Sequence, residues 1–280
     1  MNMNTNLKGR LRNTSLPYNN GLLPMFEAVA NSIHSIEEAG LSIDSGKISV
    51  EILRNTQKTL NFQDSKKRPG PEATGDIIGF KIIDNGVGFN DVNMRSFLTL
   101  DSDHKAEKGG RGVGRLLWLK AFKTARIDSL YETNSGSLKS RKFIFNASKG
   151  VSEISDTIEQ KDSKRLTIIH LDGYFDRYRE GSFKTTKTIA NSLFEHCLYY
   201  FVREGGAPKI IVYDEEESID LDEVYEDHML TSAVSDNITI KNYVFDLIHV
   251  KLRSNSAKSH IVAYCAANRL VKEENLKGKI

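Results

Sequence analysis

With two cysteines in 280 residues the chain has no disulfide framework to speak of, and neither Cys197 nor Cys265 belongs to a CxxC pair or a Cys/His ligand spacing. Both sit among apolar residues, in "EHCLYYF" and "VAYCAAN", and are expected as reduced core residues of a cytoplasmic protein. No apolar run approaches the roughly 18 residues of a membrane-spanning helix, and no apolar signal core follows the polar start "MNMNTNLKGRLRNTS", so no membrane partner is expected. An excess of one charge is missing too. The 39 basic and 37 acidic side chains leave +2, which gives no global bias toward nucleic acid or lipid. What is present, 39% hydrophobic and 27% charged, suits one large or two ordinary globular domains.

Residues 1–21 are polar and Asn-rich and read as an N-terminal arm. From 22 the pattern turns helical, with Phe26, Val29, Ala30, Ile33 and Ile36 recurring at three- and four-residue steps as far as Gly40. "KISVEILRN" (47–55) alternates like a half-buried strand, "DIIGFKIIDN" (76–85) reads as its neighbour, and a polar loop, "QDSKKRPGPEATG", separates them. A turn in "DNGVGF", a short helix over 94–100 and the glycine cluster of "KGGRGVGRLLWLKAF" follow, the last passing into an apolar helix over 115–122. "TARIDSLYE", "RKFIFNA" and "RLTIIHL" are further strands. This order predicts an α+β sandwich over 22–180, a mixed sheet with helices on one face. After "DGYFDRY" come an aromatic-rich helix over 187–202, a strand in "PKIIVYDEE", and "YVFDLIHVKLRS" and "SHIVAYCAANRLV" as paired strands. They predict a second α/β domain over 181–280, expected to be incomplete because the chain stops at "KGKI" soon after a strand.

Three short stretches carry chemistry. In "EAVANSIHS" (27–35), Glu27 and Asn31 lie four residues apart and so share one face of the helix. In "IIDNGVGF" a strand ends in Asp84, and Gly86 and Gly88 let the backbone turn and a flat ligand approach, where the carboxylate can accept from an exocyclic amine. The same letters also suit a tight Asp-Asn-Gly hairpin. Gly109, Gly110, Gly112 and Gly114 precede a helix, whose backbone amides and positive end can cradle phosphates. The cluster is neither a Walker loop nor a GxGxxG, and a flexible connector is its plainer reading. If phosphates sit there, Mg²⁺ needs few hard oxygen ligands, one of which Asn31 can supply, and Glu27 can polarise a water for attack on the terminal phosphate.

In order and spacing these motifs resemble the ATP-binding domain of the GHKL superfamily, which comprises DNA gyrase B, the ninety-kilodalton heat-shock chaperones, histidine kinases and MutL, with MORC ATPases related. "EAVANS" resembles the Glu-x-x-x-Asn box, "DNGVGF" the adenine box and "GGRGVGR" the second glycine box. The resemblance implies a Bergerat-type sandwich that binds ATP and Mg²⁺. It implies Glu27 as general base, Asn31 on the metal, Asp84 on the adenine amine, Gly86 and Gly88 beside the base, and Gly110, Arg111, Gly112, Val113 and Gly114 on the phosphates. "LTLDSDHKAEK" resembles the mobile lid, with Lys105 reaching a phosphate, and Thr167 is the counterpart of the adenine-side threonine. His34 stands where an Asp is usual, a change expected to affect packing more than chemistry. Glu27 favours the hydrolysing branches over the kinases. The second half resembles a transducer domain, with Lys272 and Lys277 as candidates for its lysine. By resemblance the chain is an ATP-operated clamp. ATP closes the lid, the N-terminal arm crosses to a second subunit to make a homodimer, and DNA is an expected partner, with "SKKRPG" a basic loop that fits it. A chaperone-type ATPase, or a nucleotide-sensing module without turnover, are the alternatives.

Overall fold

The computed structural model describes residues 6–55, 75–99, 114–158, 163–231, 233–251, 253, 261–266 and 269–276. Helix α1 (Leu7–Asn13) is capped by Asn6, whose side chain accepts from the Lys8 and Gly9 amides, and it buries Leu11. The described part of the expected arm, residues 6–21, thus packs on its own domain. Lys120 Nζ donates to the Leu11 carbonyl at 3.1 Å, and the Tyr178 hydroxyl donates to that of Leu16 at 3.4 Å.

Helix α2 (Leu23–Glu38) starts with Pro24 in its first turn, where a missing N–H costs nothing. Strands β1 (Lys47–Arg54) and β2 (Ile77–Asp84) pair antiparallel. Then come α3 (Asp91–Leu98), capped by Asn90, and α4 (Gly114–Ala121). Four antiparallel strands follow: β3 (Phe122–Glu132), β4 (Leu138–Asn146), β5 (Gly150–Ile158) and β6 (Leu166–Tyr174). A turn of helix, α5 (Asp176–Arg179), leads to α6 (Thr186–Val202), β7 (Lys209–Tyr213), β8 (Ser218–Asp220) and α7 (Leu221–His228).

Eight strands form one mixed sheet in the order β5-β4-β3-β6-β2-β1-β7-β8, and only β1 and β7 run parallel. Alternation sends Val50, Phe80, Ile82, Ile127, Ile169 and Val212 to the face beneath the helices, where all are buried. The opposite face carries Glu51, Lys81, His170 and Arg126 in one cross-strand row. There Lys81 meets Glu51 at 3.3 Å and His170 meets Asp172 at 3.0 Å. The architecture is α+β. Strands β7 and β8 lie past residue 181, where a second domain is expected, and extend the sheet of the first half. Among the described residues no helix is long and apolar enough to cross a membrane.

Other details differ from the sequence reading, which also did not foresee helices α1 and α7. Strand β5 went unforeseen because it is an edge strand with polar residues on both faces, so burial imposes no alternation on "GVSEISDTI". The two late segments are not each other's partners: β10 (Tyr243–His249) pairs with β9 (Val234–Ile240), and β11 (Ile261–Ala266) pairs with β12 (Arg269–Asn275). Cys197 is buried on α6 as expected, whereas Cys265 is exposed, because β11 belongs to a two-stranded ribbon that cannot enclose it.

A buried ion pair locks β7 to the first half. Arg54 donates to Asp214 at 2.8 Å, and their side chains are 8% and 2% exposed. Arg54 also reaches the carbonyls of Gly75 and Lys184, while the Thr186 hydroxyl donates to Asp214 at 2.6 Å. Burial pushes the Asp214 carboxyl up, but donors from Thr186, the Glu217 amide, Arg54 and the Glu216 amide outweigh it and hold it at about 2, below the usual 3.8. A lowered carboxylate pKa contributes stability that is complete above about pH 4 and is lost as the pH falls toward 2, about 2 kcal/mol here. Asp214→Asn is predicted to lose about 3 kcal/mol at pH 6, because it strands a buried guanidinium. In urea unfolding, its gap from wild type should narrow by about 2 kcal/mol between pH 5 and pH 2; a constant gap would contradict the assignment.

Candidate functional site

Helix α2 is buried nearly all round: Met25, Phe26, Ala28, Val29, Ala30, Ile33 and Ile36 all face sheet or neighbouring helices. One polar stripe breaks this pattern, formed by Glu27, Asn31 and Ser35 at successive four-residue steps. It does not look out on open solvent. Glu27 is only 9% exposed, and a Cβ placed on Gly114 would lie 3.0 Å from its Oε2, so the carboxylate sits against the first residue of α4. Four residues on, Asn31 is partly exposed, and Ser35 abuts the turn after β2.

That turn is built around Asp84, the last residue of β2 and 3% exposed. Ser32, on the buried side of α2, donates to Asp84 Oδ2 at 2.7 Å, and the Gly86 amide donates to Oδ1 at 2.9 Å. Asn85 points the other way, accepting from the Lys47 amide and donating to the Ser45 carbonyl. The loop then runs along α2: the Val87 amide donates to the Ser35 carbonyl at 3.1 Å and the Gly88 amide to Ser35 Oγ at 3.3 Å. A Cβ at Gly86 would lie 2.3 Å from Ser35 Oγ. Gly88 has φ +70, and a Cβ there would lie 2.5 Å from Ser129 Oγ and 3.0 Å from Thr167 Oγ1. Only glycine fits either position.

Thr167 is the register partner of Asp84 on β6, and Ser129 on β3 is the next across. Their hydroxyls are 2.9 Å apart. Asp84, Gly86, Gly88 and Thr167 thus adjoin one another at the Ser32–Ser35 end of α2, while Glu27, two helical turns earlier on the stripe, adjoins Gly114, with Asn31 between them. Lys105, Gly110, Arg111, Gly112 and Val113 lie outside the described residues, as does most of the expected lid. Arg115 ties together the two ends that flank 100–113: it donates to the Ser96 and Thr99 carbonyls at 3.2 and 2.5 Å and lies over the Phe97 ring. His34 is buried, with its Nε2 2.8 Å from the Tyr200 hydroxyl on α6, so it packs against α6. Lys272, on β12, lies over the Tyr264 ring.

Ser32, Ser35 and Ser129 touch the candidate residues, and Arg141 holds the Phe89 carbonyl beside them; none was singled out from the sequence. Arg141, on β4, meets both oxygens of Asp156 at 2.9 and 2.7 Å and donates to the Phe89 carbonyl and to Asp91 at the start of α3. The bond from Arg141 holds the Asp156 carboxyl below its usual value. Ser35 continues the four-residue stripe and Ser129 alternates onto an apolar face, so both had a signal; the partners of Arg141 lie 15 to 52 residues away and had none. Among the described residues no group of three or more His, Cys, Asp or Glu converges as if to hold a metal. Compared with protein-family models and with curated proteins, the chain matches none.

Gly88→Ala should lower stability by about 3 kcal/mol, combining left-handed strain with collision against the Ser129–Thr167 pair. Gly40→Ala is the control, since Gly40 also has a positive φ, +63, but open space at its Cβ; strain alone should cost about 1 kcal/mol. Equal losses in thermal unfolding would mean that the contact beneath Gly88 carries no weight.

Proposed function

We propose that the chain binds ATP with Mg²⁺ and hydrolyses it, and that its sheet and helices form the Bergerat-type sandwich that the motifs resemble. One observation carries this reading: the Glu27–Asn31–Ser35 stripe of an otherwise buried helix faces both the Asp84–Gly88 turn and the start of α4. A carboxylate at a buried strand end accepts an exocyclic amine, while glycines beside it admit the flat base. The amino end of α4, with Gly114 at its head, supports phosphates through backbone N–H groups and the helix dipole.

The Asn31 carboxamide oxygen fits Mg²⁺, which takes few protein oxygens and keeps the rest of its shell for phosphate and water. Bound there, the ion supplies charge neutralisation to the phosphates. Glu27 lies one helical turn from Asn31 and against Gly114, and acts as general base. Water attacks the γ-phosphorus as Glu27 takes its proton, a P–O bond forms, and the bond to the β,γ-bridging oxygen breaks, leaving ADP and phosphate. Ser32 and the Gly86 amide keep Asp84 fixed while this happens.

Isothermal titration with Mg-ATP, with phosphate release followed on the same samples, tests the assignment. Asp84→Ala should lose binding at least a hundredfold, and Glu27→Ala should keep binding while turnover falls by two orders of magnitude or more. Wild type that binds no ATP would sink the reading; binding with no wild-type turnover would leave a nucleotide sensor.

We propose further that ATP drives a homodimer by arm exchange. Because residues 7–16 are held on their own domain through Lys120 and Tyr178, exchange begins by breaking those contacts. Sedimentation velocity with a nonhydrolysable analogue and Mg²⁺ should show a dimer that disappears on removal of residues 1–16. A wild type that stays monomeric, or a truncated chain that still dimerises, would count against arm exchange. An action on DNA, as in the gyrase, MutL and MORC branches, is part of this proposal.

A further inference from the structure

Two buried hydroxyl groups, those of Ser129 and Thr167, sit 2.9 Å apart beneath Gly88 with 0% and 2% exposure. Ser129 Oγ accepts the Phe89 amide at 2.9 Å. A hydroxyl has one hydrogen and two lone pairs. Were Thr167 to donate to Ser129 as well, both lone pairs of Ser129 would be taken, and its own hydrogen would be buried with no acceptor among the described residues. Buried hydroxyls avoid that cost. With Ser129 donating to Thr167 instead, the hydrogen left over is that of Thr167, the residue in register with Asp84, where a bound base can accept it.

Thr167 is in register with Asp84, whose carboxylate only accepts. The base-facing end of the sheet thus offers an acceptor beside a donor. A 6-aminopurine presents the complement, an amine donor next to a ring-nitrogen acceptor. A 6-oxopurine presents the reverse, a carbonyl next to an N–H. If Ser129 did not donate, the Thr167 hydroxyl could turn and accept that N–H.

We infer that Ser129 is a specificity-determining residue of the nucleotide site, a positioning residue that fixes Thr167 as a donor and so favours adenine over guanine nucleotides. The inference rests on the ATP reading above and adds to it a residue that need not touch the ligand. It predicts a loss of discrimination, not a uniform loss of affinity.

Affinities for ATP and GTP, each with Mg²⁺, would be measured by titration on wild type, Ser129→Ala, Ser129→Cys, Thr167→Val and the Ser129→Ala/Thr167→Val double variant. The ATP-to-GTP affinity ratio should fall about three- to tenfold in Ser129→Ala, the worth of one hydrogen bond. It should fall in the same sense in Ser129→Cys, whose slightly larger thiol leaves no cavity but donates weakly; that variant decides the matter should the alanine variant not fold. Thr167→Val should lower the ratio too, and adding Ser129→Ala to it should lower it no further, because Ser129 acts through Thr167. A merely structural role would weaken both nucleotides alike and leave the ratio unchanged, which would overturn the inference while the ATP reading stood. A further fall in the double variant would also overturn it. Wild type that binds neither nucleotide would overturn the ATP reading and this inference together.

Discussion

A carboxylate at the buried end of a strand must find donors or give up its charge, and Asp84 finds them in the Ser32 hydroxyl and the Gly86 amide. Those two bonds decide much else. The first fixes the roll of α2 over β2, and with Ser32 turned inward the stripe of Glu27, Asn31 and Ser35 meets Gly114 at one end and the turn at the other. The second bends the chain back at Gly86, so that the Val87 and Gly88 amides land on Ser35. There is no room for a side chain at either glycine, so the turn is as dependent on what is absent as on what is present. The polar stripe on α2 thus runs from Gly114, beside Glu27, to the turn, beside Ser35.

The back of the same helix is held as firmly. His34 meets Tyr200, and Glu37 pairs with Arg203, which also lies over the Tyr200 ring, so the last two turns of α2 are tied to the end of α6. At its other end α6 begins beside the Arg54–Asp214 pair, through Thr186. Strands β7 and β8 and helix α6 are therefore part of the body that positions α2. A rotation of α2 large enough to move Glu27 would disturb buried contacts on α6 as well, which favours a rigid site over a plastic one.

How legible was this in the sequence? Local periodicity carried most of it. The three- and four-residue steps from Phe26 to Ile36 gave α2, and alternation in 47–55 and 76–85 gave β1 and β2, because those segments are buried on one face and burial writes the pattern. Where burial does not write it, reading failed. Strand β5 is an edge, and β9 is polar enough that β10 was matched to the wrong partner. Cys265 has apolar neighbours but lies on a two-stranded ribbon open to solvent. The site divides the same way. Glu27, Asn31 and Asp84 stand out through short-range spacing. The Ser32–Asp84 bond spans 52 residues and the Arg141–Phe89 bond another 52, and no local rule reports which distant strand end a serine or arginine will meet.

The most direct test of the proposed ATP site is amide hydrogen exchange with and without saturating Mg-ATP. It reads the backbone of α2, the Gly86–Phe89 turn and the start of α4 without any substitution. Protection confined to residues 84–89, the 27–35 stretch and the amino end of α4, with the charged opposite face of the sheet unchanged, is the predicted result. Unchanged exchange at the turn and the stripe, or protection centred on the row of Glu51, Lys81, His170 and Arg126, would contradict it.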